Sequence, residues 1–154
     1  MIIWGEEEFG DRLDLSPQAF YQRLAVDLQR STTSQAGVGD FLDAIRAAKA
    51  GGATGAVILT VSSAMSGAYH MACQAAEKAD MPVSVVDSKG PTMSLGWQVL
   101  AAARARNEGA SRKEIVKRVA EVRSWLVQIV AMESLTYLQN GVALGMLPRG
   151  WELC

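Results

Sequence analysis

The sequence predicts an α/β fold, with a mostly parallel sheet flanked by helices. Three observations carry that expectation. Short β-branched runs recur at Val57-Ile58-Leu59-Thr60-Val61 and Val83-Ser84-Val85-Val86, which suits strands buried on both faces. Helical patterns alternate with these runs. Each run also leads into a hydroxyl-bearing loop, with Ser62, Ser63 and Ser66 after the first and Ser88 after the second. Open α/β sheets bind ligands at that edge, beyond the carboxyl ends of the strands.

The elements follow in order. Met1-Ile2-Ile3-Trp4 reads as a strand or the end of one, and Gly5 to Asp11 as a polar turn with three solvated glutamates. Ser16-Pro17 starts a helix, with a hydroxyl cap followed by Pro at the first helical position. Phe20, Leu24 and Leu28 give it a buried stripe, and it ends near Gln29. Residues 31–37 form a hydroxyl-rich loop containing Thr32, Thr33 and Ser34. Asp40 is expected to cap the next helix, with Phe41, Ile45 and Ala48 inward, and Gly51-Gly52 stops it.

After the central strand and loop, Ala68, Ala72, Ala75, Ala76 and Ala79 make a helix able to lie close on a sheet. Pro82 introduces the second apolar run. A helix over 92–107 has Met93, Trp97, Leu100 and Ala101 as its expected apolar face, and Gly109 ends it. Ser111-Arg112-Lys113-Glu114 is a capping box, and Ile115, Val119, Val122 and Leu126 continue a helical stripe. Residues 126–131 are expected as a further strand and 133–138 as a short helix, ended by Asn140-Gly141.

Composition narrows the function. At 154 residues the chain can build one domain with a core. A net charge of −1 gives no basic footprint for nucleic acid. No apolar run reaches the roughly 18 residues that suit a membrane span, and the N-terminus shows no signal-peptide pattern. Two cysteines make no disulfide framework, which favours a cytoplasmic location. With one histidine and two cysteines, no metal site is expected.

The central stretch carries the chemistry. A helix start has unpaired N–H groups and the positive end of the helix dipole, so it can hold an anion. Gly67, without a Cβ, lets an anion approach the backbone closely. Ser66 can cap the helix, donate to an anion or act as a nucleophile. The residues favour the first two. A serine nucleophile needs a positioned base, and the single histidine, His70, lies one turn on with no orienting carboxylate evident. The Gly-x-Ser-x-Gly pattern of a nucleophile elbow is also missing. A serine esterase therefore stands as the lesser alternative, beside a fragment that keeps the fold without a ligand. Each hydroxyl loop, taken alone, reads first as helix caps and loop hydrogen bonds. No phosphate-binding glycine motif supports a nucleotide.

Several ordered pieces resemble the DegV family of bacterial fatty-acid-binding proteins: Asp14-Leu15-Ser16-Pro17-Gln18-Ala19-Phe20-Tyr21, Thr32-Thr33-Ser34-Gln35 and Gly39-Asp40-Phe41. Ser62-Ser63-Ala64-Met65-Ser66-Gly67-Ala68-Tyr69, Val86-Asp87-Ser88-Lys89 and Leu135-Thr136-Tyr137-Leu138-Gln139-Asn140-Gly141 complete the set. The resemblance implies one of two α/β domains that enclose a fatty acid and present its carboxylate to a separate fatty acid kinase. It implies no cofactor and no chemistry by the chain itself. It places the carboxylate on Thr33 and Ser66, with the Gly67 N–H, and makes Ser63 and Ser88 further candidates. The family's opening Asp-Ser-Thr-like motif and its later basic, Gly-rich stretch are not matched. The chain is therefore expected to be a DegV-like first domain over 1–141, trimmed at both ends, with a divergent tail over 142–154. Such a chain is expected to bind fatty acid more weakly than a two-domain relative. A homodimer is one way to cover its open apolar cleft.

Overall fold

The computed structural model describes residues 1–27, 31–129 and 131. The chain divides into two units, Met1–Ala36 and Gly37–Cys154, and each is described by itself.

The first unit is a small antiparallel sheet with one helix. β1 (Ile2–Trp4) lies between β2 (Glu7–Phe9) and β3 (Ser31–Thr33). β1 and β2 are joined by Gly5-Glu6, and Gly5 has φ +64°, a left-handed value that glycine adopts without strain. The expected polar turn is therefore only two residues long, and Glu7 and Glu8 belong to an edge strand. An edge strand tolerates charge because one side faces water. α1 (Pro17–Val26) starts as predicted, with the Ser16 hydroxyl accepting the Ala19 N–H at 3.2 Å. Trp4 is 1 % exposed and meets Phe20 edge-on at 5.5 Å. Arg23 lies 4.6 Å over the Trp4 ring and pairs with Glu7, so one guanidinium ties α1 to both strands. Leu28 and Gln29 lie outside the described residues.

The expected loop at 31–37 is corrected by β3. Thr33 pairs with Ile2, Thr32 with Ile3 and Ser31 with Trp4. Threonine is β-branched and suits a pleated strand, and only a pairing partner separates that use from a hydroxyl-rich loop.

The second unit carries the parallel pairing. α2 (Val38–Ala50) begins three residues earlier than a cap at Asp40 requires. Asp40 instead sits in the first turn and accepts the Gly37 N–H at 2.7 Å. β4 (Ala56–Thr60) and β5 (Val83–Asp87) run parallel, in register from Ala56 opposite Val83 to Thr60 opposite Asp87. α3 (Ala68–Glu77) connects them. Alternate strand residues enter different cores, as the two-residue period dictates. Ala56, Ile58 and Val83 pack with Ile45, Ala75 and Met81 on the α2 and α3 side. Val57, Leu59 and Val86 pack with Ala105, Ile115 and Val119 of α4 (Thr92–Asn107) and α5 (Arg112–Trp125) on the other. Ala72 and Ala75 are fully buried, so the small side chains of α3 do face inward. The predicted capping box starts α5: the Glu114 carboxylate accepts the Ser111 N–H at 2.7 Å, and the Ser111 hydroxyl accepts the Glu114 N–H at 3.4 Å.

Two expectations are corrected. The Met93–Trp97–Leu100 face of α4 is open to solvent, whereas Gln98 is fully buried. Gln98 is accommodated because its amide donates to the carbonyls of Ser88 at 3.0 Å and Ser94 at 2.9 Å. Residues 126–129 form no strand; Leu126 closes α5, and Val127 and Ile129 are exposed. An apolar run becomes a strand only with a partner, and none is present among the described residues. The expected helix at 133–138 and the tail at 142–154 lie outside the described residues.

Candidate functional site

The carboxyl ends of β4 and β5 and the start of α3 form one edge. The Ser62 carbonyl accepts the N–H groups of Met65 at 2.9 Å and Ser66 at 3.1 Å, and its hydroxyl accepts that of Ala64 at 3.3 Å. This tight turn reverses the chain from strand to helix. The Ser66 hydroxyl then accepts the Ala68 N–H at 3.2 Å. That bond closes the turn entering α3, whose N-cap is Gly67 with no side-chain cap bond, and the Ser66 proton has no acceptor among the described residues. The amide N–H groups of Gly67, Tyr69 and His70 likewise find no acceptor there. They are the orphan donors of a helix start, where the dipole favours negative charge. Gly67 has φ −70°, ψ −2°, a conformation open to any residue, so its backbone angles do not require glycine.

Ser63 and Ser88 do not serve as free donors. The Ser63 hydroxyl donates to Asp87 Oδ2 at 2.6 Å and its amide to Oδ1 at 3.1 Å. Ser88 is 2 % exposed and its hydroxyl donates to the Gly90 carbonyl at 2.8 Å. Both are further candidates for ligand contact by the family resemblance, and the structure commits both hydroxyls to protein acceptors. His70 is exposed and meets Tyr69 edge-on at 5.6 Å; no hydrogen bond joins it to Ser66 among the described residues.

Asp87 is the residue that reading the sequence left without a role. It ends β5, and its Oδ1 also accepts the Lys89 N–H at 2.9 Å. Arg123 of α5 donates to the Asp87 carbonyl at 2.8 Å. Burial is the largest influence on its carboxyl and pushes it up. The Ser63 hydroxyl, the Lys89 and Ser63 amides and the Lys89 charge together outweigh burial and hold it below the usual range. The Tyr69 phenol is raised, by the Cys73 thiol one turn on, by burial and by the charge of Asp87. The loop after Asp87 is tight: Lys89 and Thr92 have φ +58° and +51°. A Cβ at Gly90 would fall 2.1 Å from Ser94 Oγ and 2.8 Å from Gln128 Oε1, so only glycine fits there without displacement. An acidic residue closing a strand was the available signal, but its partner Ser63 lies 24 residues away.

Thr33 belongs to the other unit. It is exposed at the end of edge strand β3 and lines a cavity of about 460 Å³ with Ile2, Arg12, Leu15, Phe20 and Tyr21.

The fold and this edge define an α/β protein with uncommitted donors at a helix start beyond its parallel strands. The chain belongs to the DegV family: the family model described as "Uncharacterised protein, DegV family" matches residues 1–147. The chain is 32 % identical over 133 residues to the DegV domain-containing protein SA1258 of Staphylococcus aureus, covering 85 % of this chain and 46 % of that protein. It thus spans about half the length of the curated relatives it matches. Among solved structures it is similar to TM841 of Thermotoga maritima, for which a fatty acid binding function is described. That match has a TM-score of 0.69 at 27 % identity, over 78 % of this chain and 44 % of that one. The fold also matches DegV of Bacillus subtilis, a fatty acid binding protein, with a TM-score of 0.78 at 23 % identity, over 94 % and 51 % of the two chains. No described helix is long and apolar enough to cross a membrane.

Proposed function

We propose that this chain binds the carboxylate of a long-chain fatty acid at the start of α3 and presents it to a separate fatty acid kinase, performing no chemistry itself. One observation carries the reading. The Ser66 proton and the N–H groups of Gly67, Tyr69 and His70 are uncommitted beyond a strand end. Donors of this kind satisfy an anion without a full positive charge nearby. The fatty acids bound by similar proteins support a carboxylate with an apolar tail over other anions. The half-exposed Met93 and Trp97 offer apolar surface for such a tail.

Thr33 is proposed as a second hydroxyl donor on the ground of the family resemblance. The same resemblance motivates the kinase partner, no cofactor, and the assignment of 1–141 as the DegV-like first domain with 142–154 as a divergent tail; the lack of a disulfide framework motivates a cytoplasmic location. A serine hydrolase is disfavoured because His70 is exposed and not hydrogen-bonded to Ser66.

The test is native mass spectrometry of the purified chain, followed by denaturing extraction of lipid. Bound fatty acid whose occupancy falls in Thr33→Ala and Ser66→Ala supports the reading. Folded protein that stays empty after incubation with fatty acid contradicts it.

A further inference from the structure

We infer that Asp87 is the positioning residue of the carboxylate site, holding residues 62–67 in the shape that leaves the helix-start donors free for the ligand. The inference rests on the proposed fatty-acid reading and assigns Ser63 a role through Asp87 rather than on the ligand.

The geometry is specific. Asp87 stands opposite Thr60, the last residue of β4, in the parallel register. Val83 packs on the α2 and α3 side while Val86 packs on the other. The two-residue period therefore directs Asp87 to the α3 side, where the loop passes. The loop's remaining hydrogen bonds are local, made by Ser62, Ser66 and Gly67 to residues two to four positions away. Among the described residues, the pair of bonds from Ser63 to the Asp87 carboxylate is what fastens this loop to β5. Asp87 is itself held, through its carbonyl by Arg123 and through Oδ1 by the Lys89 amide. Three donors cover its two oxygens, so both are engaged within the protein, although its charge still reaches the Tyr69 phenol. A bare carboxylate so close to an anion site would repel the ligand. The depressed carboxyl keeps Asp87 ionised, and so an acceptor for all three donors, at neutral pH.

The test compares a fatty acid with the primary alcohol of the same chain. The delipidated full chain is titrated with oleic acid and with oleyl alcohol, which share the tail and differ in the anion. Asp87→Ala is expected to weaken oleic acid at least tenfold and to leave the alcohol within twofold. Ser63→Ala moves in the same direction. In the Asp87→Ala background, Ser63→Ala adds less than twofold, because both substitutions remove one linkage. Asp87→Asn keeps the shape and one acceptor oxygen and gives an intermediate loss, which carries the test if Asp87→Ala does not fold.

Equal weakening of acid and alcohol overturns the inference, since a general structural role does that. So does an undiminished Ser63→Ala effect in the Asp87→Ala background, since Ser63 then touches the ligand itself. If Ser66→Ala abolishes the preference for acid while the Asp87 variants keep it, the inference alone falls. If the parent shows no preference for acid over alcohol, the proposed function falls and takes the inference with it.

Discussion

The Ser66 hydroxyl oxygen accepts the Ala68 amide at 3.2 Å, so Ser66 holds the turn entering α3 and still has a proton to give. A structural acceptor and a ligand donor are usually read as rival roles for a serine. One hydroxyl is able to fill both, because it accepts through its lone pairs and donates through its hydrogen.

Ser66→Ala is accordingly expected to act on two quantities. A hydrogen bond to a charged group contributes about 1.5–3 kcal/mol, so fatty-acid affinity should fall roughly ten- to a hundredfold. Loss of the Ser66–Ala68 hydrogen bond should lower folding stability by about 1 kcal/mol. Ser66→Thr keeps the hydroxyl and should restore most of both. Titration of delipidated protein and chemical denaturation read the two effects separately.

The open face of α4 separates binding from folding. Trp97 is 50 % exposed. Trp97→Ala should change unfolding free energy by no more than about 1 kcal/mol, in keeping with its surface position. If the acyl tail lies on this face, the same substitution weakens a long-chain fatty acid several-fold more than a short-chain one. A chain-length series in both proteins checks this.

Val119 marks the opposite case. It is fully buried between α5 and the sheet, packed with Val86, Ala105 and Ile115. Val119→Ala should cost about 2 kcal/mol, from lost burial and the cavity left behind. Urea denaturation should show a lower midpoint with an unchanged slope.

Acid should destabilise the second unit through Asp87. Its folded carboxyl lies below the ordinary value. A depressed carboxyl contributes stability that is fully present above the unfolded value of about 3.9 and is lost as pH falls through the folded one. Asp80, held down by Lys49, and Glu114, held down by Ser111, act in the same direction from exposed positions. Stability should therefore be level near neutrality and fall below about pH 4. Asp87→Asn should flatten part of that fall, which denaturation at a series of pH values would show.

The sequence was most legible where one local signal suffices. Ser16-Pro17 and the Ser111–Glu114 capping box took the predicted form, and the runs expected at 57–61 and 83–86 form strands over 56–60 and 83–87. Local chemistry sets these, and parallel pairing follows from the connecting helix. The three-residue strands at Glu7–Phe9 and Ser31–Thr33 were not legible, since so short a segment shows no period and its pairing depends on β1. The α4 stripe misled because apolar spacing identifies a face without saying what covers it. At the site, Ser66 was readable from its place before a helix. The commitment of Ser63 to Asp87 and of Ser88 to Gly90 depends on geometry that composition does not encode.

The most direct measurement follows the backbone amides of Gly67, Tyr69 and His70 by proton–nitrogen NMR as delipidated protein is titrated with oleic acid. The account predicts downfield amide-proton shifts at these three residues with the acid and smaller ones with oleyl alcohol. Saturable binding of the acid that leaves all three amides unmoved would contradict a carboxylate site at the start of α3.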